Sequence, residues 1–223
     1  MSTAKRILLV VTGHDHVDAT HRTGVWFEEF AAPYRMFQAQ GLDITIASPR
    51  GGSVPLDPRS EPKGEEIEKT AEARAALQQT IALSEISADQ FDAVYIPGGH
   101  GAMFDLSEDV TLEHLLGDFA RQDKVIASVC HGLAGLVKAR RVDGMPLVAG
   151  KTITSFTNSE ERLGGLDPLM PFLLESRLRE LGANFVVQPN WSDHIERDGK
   201  LITGQNPQSS RSLAQAIIEA LEA

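Results

Sequence analysis

Cys130 is the only cysteine in the sequence, and it stands where a β-rich run, Lys124–Val129, breaks into His131-Gly132. A thiol on a sharp strand-to-helix turn is held clear of the strand, and the helix N-terminus beside it favours the thiolate, the reactive form. The alternative is a free cysteine buried as a small hydrophobe. Its position at a strand's end favours the nucleophile. His131 is the neighbouring candidate for a general base, and such a base needs a carboxylate to orient it. Glu160 and Glu161, in Phe156-Thr157-Asn158-Ser159-Glu160-Glu161-Arg162, are the candidates, with Glu161 read as a solvated glutamate opening a helix.

Two more segments carry apt groups. Pro97-Gly98-Gly99-His100-Gly101 follows another β-rich run, and glycine there lets exposed backbone N–H groups approach and stabilise an oxyanion. It lacks the spacing of a phosphate loop. Glu29 lies among Phe27, Phe30 and Ala31. A carboxylic acid partly buried there, beside Cys130, stays protonated and donates a hydrogen bond to the thiolate, or shuttles a proton. His14, Asp15, His16, Asp18 and His21 invite a metal reading, but they form no paired ligand motif and read as polar loop residues. No metal is expected.

The elements that must position these groups alternate in type. Apolar runs at Lys5–Val11, Leu42–Ser48, Phe91–Ile96 and Lys124–Val129 read as buried strands. Helical periodicity covers Trp26–Gln40, kinked at Pro33, and a stripe of Leu112, Leu115, Leu116, Phe119 and Ala120 behind a Ser107 cap. Glu65–Ile86 reads as one helix, Pro49–Gly64 as a surface excursion, and Leu133–Lys138 as the helix after the cysteine. Further on come an extended pair in Pro146–Phe156, a helix at Pro171–Leu181 and a strand at Asn184–Gln188. A hairpin over His194–Thr203 turns at Asp198-Gly199, and a final helix is capped by Asn206. This alternation specifies an α/β fold with a parallel sheet covered on both faces. Chemistry in such folds gathers beyond the carboxyl ends of the strands, where the segments at Thr12–Glu29, Pro97–Gly101 and Cys130–Gly132 all fall.

Composition sets outer bounds. The 223 residues fit a single domain, 1–223, with 42% hydrophobic and 23% charged residues. A formal net charge of −10 opposes nucleic acid and anionic membranes as partners. The apolar run at Ile7–Val11 is too short for a signal-peptide core, and a lone cysteine suits a reducing, cytoplasmic compartment.

The motifs TGVWFEE (ending at Glu29), YIPGGHG, ASVCHG, SFTNSEE, PFLLE and LITGQNP occur in this order along the chain. Together they resemble the PfpI-type superfamily, relatives of class I glutamine amidotransferases, and within it the branch of small heat-shock-inducible, glutathione-independent glyoxalases (glyoxalase III). The resemblance implies a flavodoxin-like three-layer sandwich, a homodimer, no cofactor and a small 2-oxoaldehyde substrate. Residue by residue, it implies Cys130 as nucleophile, His131 as its partner, Glu29 as the protonated glutamate against the sulfur, and the N–H groups of Gly99 and His131 as oxyanion donors. The acidic partner of His131 corresponds to Glu160, with Glu161 as the neighbouring option. Leu133 stands where the family often has proline, which alters the pocket wall. The expected activity is conversion of methylglyoxal to lactate. The alternatives are a holdase chaperone, a protein deglycase and a redox-sensing cysteine, with a protease or amidotransferase behind them.

Overall fold

The structure, a computed structural model, describes residues 4–222. In chain order the elements are β1 (Arg6–Val10), α1 (Phe27–Ala39), β2 (Asp43–Ser48), α2 (Glu66–Lys69), α3 (Ala71–Ala76), β3 (Ile81–Ala82), β4 (Ala93–Ile96), α4 (Val110–Arg121) and β5 (Val125–Val129). There follow β6 (Thr152–Ile153), α5 (Asn158–Gly164), α6 (Leu174–Glu180), β7 (Asn184–Phe185), β8 (Ile195–Asp198), β9 (Leu201–Gly204) and α7 (Ser210–Glu222). Seven strands form one sheet in the order β3-β2-β1-β4-β5-β9-β8. All its pairings are parallel except β8 on β9.

Side chains alternate across the central strands, as a pleated strand buried on both faces requires. Ile7, Leu9, Tyr95 and Ala127 pack on one face with Phe30 and Phe37 of α1 and Leu213 and Ile217 of α7. Leu8, Val10, Val94 and Ile126 pack on the other with Leu112, Leu116 and Phe119 of α4 and Leu178 of α6. The result is the flavodoxin-like three-layer α/β sandwich. No helix among the described residues is long and apolar enough to cross a membrane.

Several local expectations need correction. Glu65–Ile86 is not one helix: Thr70 turns its hydroxyl onto the Glu66 carbonyl between α2 and α3, and the chain then leaves helix so that Thr80 can pair with Gly52 and β3 can join β2. Asp109, not Ser107, caps α4, accepting from Leu112 N–H at 2.8 Å, while Ser107 donates to the Met103 carbonyl. The turn after Cys130 is a 3₁₀ stretch, Cys130–Leu136. Asn206 donates through Nδ2 to Glu160 and to the Ser192 carbonyl and accepts the Ser209 hydroxyl at Oδ1, so its side chain caps no backbone N–H. In Pro146–Phe156 only Thr152–Ile153 is strand, paired in parallel with β7. Pro49–Gly64 is no mere surface excursion, since it buries Val54 and Asp57. The helix does continue through Pro33, as α1.

Candidate active site

The three suspect segments converge at the carboxyl ends of β1, β4 and β5. β5 delivers Cys130, whose backbone sits at φ 56°, a left-handed conformation costing of order 1 kcal/mol for a residue with a Cβ. Cys130 is 4% exposed. β4 ends in Ile96 and leads into Gly98, where a Cβ would lie 2.6 Å from Glu29 Oε2 and 2.9 Å from the His131 nitrogen. The close approach of the three segments therefore requires glycine at this position.

Glu29, in the first turn of α1, is fully buried. Its Oε2 accepts the Gly98 N–H at 2.6 Å. Its Oε1 has no partner besides the interaction the carboxyl makes with Cys130. Burial pushes Glu29 up to about 8, against the opposing pull of the Cys130 and Gly98 hydrogen bonds. Burial thus favours the protonated carboxyl. Burial and the adjacent Glu29 charge push the Cys130 thiol up as well, while the His131 N–H favours the thiolate. Two acids in one dry pocket do not both ionise, so the pair carries one negative charge at most. The backbone of Glu29 is also held: Tyr95 Oη on β4 donates to its carbonyl at 2.6 Å.

On the other side of the sulfur stands His131. Its Nδ1 is 3.3 Å from Cys130 Sγ, and its Nε2 is 2.5 Å from Glu161 Oε2. This corrects the expected partner. Glu161, not Glu160, orients His131. Glu160 is also buried, but its carboxylate accepts five donors: Thr157 N–H and Oγ1, Trp191 N–H, Gln205 Nε2 and Asn206 Nδ2. It is the reciprocal half of a capping box with Thr157 that starts α5. Glu161 is not solvated, as a helix-opening glutamate was expected to be. It is buried, and its other oxygen accepts from His100 Nε2 at 2.8 Å. Burial alone would raise Glu161, but its interactions with His131 and His100 outweigh it and hold it well below the usual carboxylate range.

Gly98 does not serve as expected, because its N–H is committed to Glu29. Gly99 has φ 110° and faces the Gly24 carbonyl, again with no room for a Cβ. The histidine-rich loop forms surface pairs, His16 with Asp15 and His21 with Asp18. The cluster among the described residues whose ligand atoms could hold a metal is His100, His131 and Glu161, all within 4.8 Å of one another.

Four further residues at the site have no role in the sequence reading. His100 lies against His131, ring centroids 4.0 Å apart. Arg59, from the supposed surface excursion, reaches His100 Nδ1 at 2.9 Å. Phe156 packs on His131 at 4.4 Å and is covered by Trp191 at 5.5 Å. The one available signal for these was His100 itself, a histidine directly after a glycine turn at a strand's end. The arrangement is a buried thiol between a carboxyl and an imidazole that is itself paired with a carboxylate, a grouping that suits covalent addition followed by proton transfer.

Full-length similarities place the chain among known proteins. The glutathione-independent glyoxalase hsp3101 of Schizosaccharomyces pombe is 32% identical over 238 residues, covering 98% of this chain and 97% of that protein. The crystal structure of glyoxalase III from Candida albicans superposes with a TM-score of 0.89 at 27% identity, over 97% of each chain. The Rapid Encystment Protein 24 kDa of Francisella tularensis gives a TM-score of 0.91 at 31% identity, over 97% of this chain and 99% of that one. The family model described as DJ-1/PfpI matches residues 22–220, nine-tenths of the length, and with these full-length relatives it settles the classification: this chain belongs to the DJ-1/PfpI family.

Proposed function

We propose that this protein is a glutathione-independent glyoxalase that converts methylglyoxal and related 2-oxoaldehydes to 2-hydroxy acids. The observation that carries it is the position of Cys130 Sγ, 3.3 Å from His131 Nδ1 on one side and against the Glu29 carboxyl on the other. The full-length relatives whose names state this activity support it.

The Cys130 thiol gives its proton to His131 Nδ1 as the sulfur adds to the aldehyde carbon, and the resulting alkoxide takes that proton to give a hemithioacetal and a free Nδ1. In that step the N–H groups of Gly99 and His131 are the proposed oxyanion donors. His131 Nδ1 then removes the proton from the former aldehyde carbon. The electron pair moves into an enediol, and the proton returns at the neighbouring carbon. The former aldehyde carbon is now a thioester. Water cleaves the C–S bond, releasing the hydroxy acid and restoring the thiol, so the net change is addition of one water. Glu29 holds its proton beside the sulfur and can pass it to the developing oxygen. Glu161 keeps His131 turned toward the sulfur throughout. A homodimer in a reducing, cytoplasmic compartment completes the proposal, and the free Cys130 thiol fits such a compartment.

The test is lactate formation from methylglyoxal without glutathione or added metal, for the native protein, Cys130→Ala and Glu29→Gln. Multiple turnovers in the native protein and their loss in both variants are expected. No turnover in the native protein, with Cys130 still open to alkylation, would overturn the substrate class but leave the nucleophile. Light scattering on the same preparation decides the dimer.

A further inference from the structure

Arg59 comes from a loop that contains no substrate-facing element in the mechanism above, yet it touches the site's second histidine. A guanidinium has five N–H donors, no acceptor, and does not deprotonate in proteins. At 2.9 Å from Arg59 Nη2, His100 Nδ1 must therefore offer its lone pair. His100 then carries its proton on Nε2, which donates to Glu161 Oε1 at 2.8 Å. That occupies one carboxylate oxygen and leaves the other, Oε2, to His131 Nε2 at 2.5 Å. With Nε2–H spent on Glu161, the remaining nitrogen of His131 is the one facing the sulfur.

Arg59 is itself fixed. Asp57, buried, takes it in a bidentate grip with Nε–Oδ1 3.0 Å and Nη2–Oδ2 2.7 Å, and Thr23 Oγ1 donates to the same carboxylate at 3.0 Å. The Trp26 ring lies beneath the guanidinium at 5.7 Å.

The same hydrogen bond bears on metals. Two imidazoles and a carboxylate within 4.8 Å are an apt donor set for zinc. A neutral histidine ligates through Nε2 only when its proton sits on Nδ1, and at His100 that proton would point into the Arg59 N–H. We propose that Arg59 is a positioning residue that locks His100 in the Nε2–H tautomer, thereby reserving Glu161 for His131 and closing the His100, His131 and Glu161 cluster to divalent transition metals. This rests on Cys130 and His131 as the reacting pair for its purpose, but its test needs no turnover.

The experiment is a long-range ¹H–¹⁵N spectrum of the imidazoles in the ¹⁵N-labelled full chain near pH 7, with His100 assigned through His100→Gln. Native protein is expected to show His100 unprotonated at Nδ1 and protonated at Nε2. Arg59→Lys, whose ammonium is also donor-only, keeps that pattern, and Arg59→Met loses it to a tautomer mixture or an imidazolium. Zinc titrated against a chromophoric chelator reads the second half. Arg59→Met takes up one more equivalent than native protein, and Arg59→Met with Glu161→Gln loses that equivalent. A native His100 protonated at Nδ1 would overturn the proposal, as would an unchanged spectrum in Arg59→Met. So would native zinc uptake that His100→Gln abolishes. Should Arg59→Met not fold, the native and Arg59→Lys spectra decide alone. Absence of glyoxalase turnover would leave these spectra equally decisive.

Discussion

Tyr95 supplies the hydrogen bond that Pro33 withholds. In an unbroken helix the Glu29 carbonyl would accept from the N–H of residue 33, but proline has none. The buried Tyr95 Oη donates to that carbonyl at 2.6 Å instead. The helix that carries the proposed acid is thus tied to β4, the strand that leads into Gly98.

Tyr95→Phe is expected to leave that carbonyl buried and unpaired, at a cost of about 1–3 kcal/mol. Adding Pro33→Ala restores a helical N–H to the same oxygen and should recover much of the loss. A double-mutant cycle by denaturant unfolding measures this. Additive effects, with no rescue, would refute the pairing.

The adjacent glutamates should separate cleanly. Glu161→Gln disturbs the orientation of His131 and is expected to lower kcat by about 10²- to 10⁴-fold with a native-like unfolding curve. Glu160→Gln weakens an acceptor for five donors, so it should lower Tm while folded protein keeps its kcat. Steady-state kinetics and thermal melts on both variants read this. The reverse pattern would restore Glu160 to the site.

Glu29 should write its raised affinity for protons into the stability curve. Between its ordinary value of 4.5 and about 8, the folded chain keeps the Glu29 proton while the unfolded chain releases it. The folded state binds more protons in that window, so this contribution to stability falls as pH rises through it. Glu29→Gln has no such proton. Its Tm should therefore gain on the native protein steadily from pH 5 to 8, and parallel curves would count against a neutral Glu29.

The left-handed backbone at Cys130 predicts an order among inactive variants. Cys130→Gly relieves the φ 56° strain but adds freedom to the unfolded chain, whereas Cys130→Ala keeps the strain. The glycine variant should be the more stable by roughly 1 kcal/mol in urea unfolding. A glycine variant less stable than Cys130→Ala by about 0.4–1 kcal/mol, the entropic cost of glycine alone, would mean the turn stores no strain.

The parallel core was legible because β1, β4 and β5 are apolar runs, and because a glycine-rich turn follows β4 and the lone cysteine follows β5. β3 was not, since a two-residue strand leaves no period in a sequence, and for the same reason β6 and β7 are shorter than the extended runs that mark them. The confusion of Glu160 with Glu161 had a visible remedy. Thr157 and Glu160 stand at capping-box spacing, which commits Glu160 to the start of α5 and leaves the next residue to reach His131. Arg59 offered no such sign. Its partners lie 41 residues away at His100 and in a loop whose Pro, Gly and charge content reads as solvent-facing.

The chain's two tryptophans both border the site, Trp26 under the Arg59 guanidinium and Trp191 against the ring that packs on His131. Trp191 is 42% exposed and sits at φ 63°, its N–H held by Glu160. The protein thereby carries two optical reporters at fixed positions around a colourless substrate. With Trp26→Phe, emission from Trp191 alone follows the thiol's pocket through a single turnover, with no label attached.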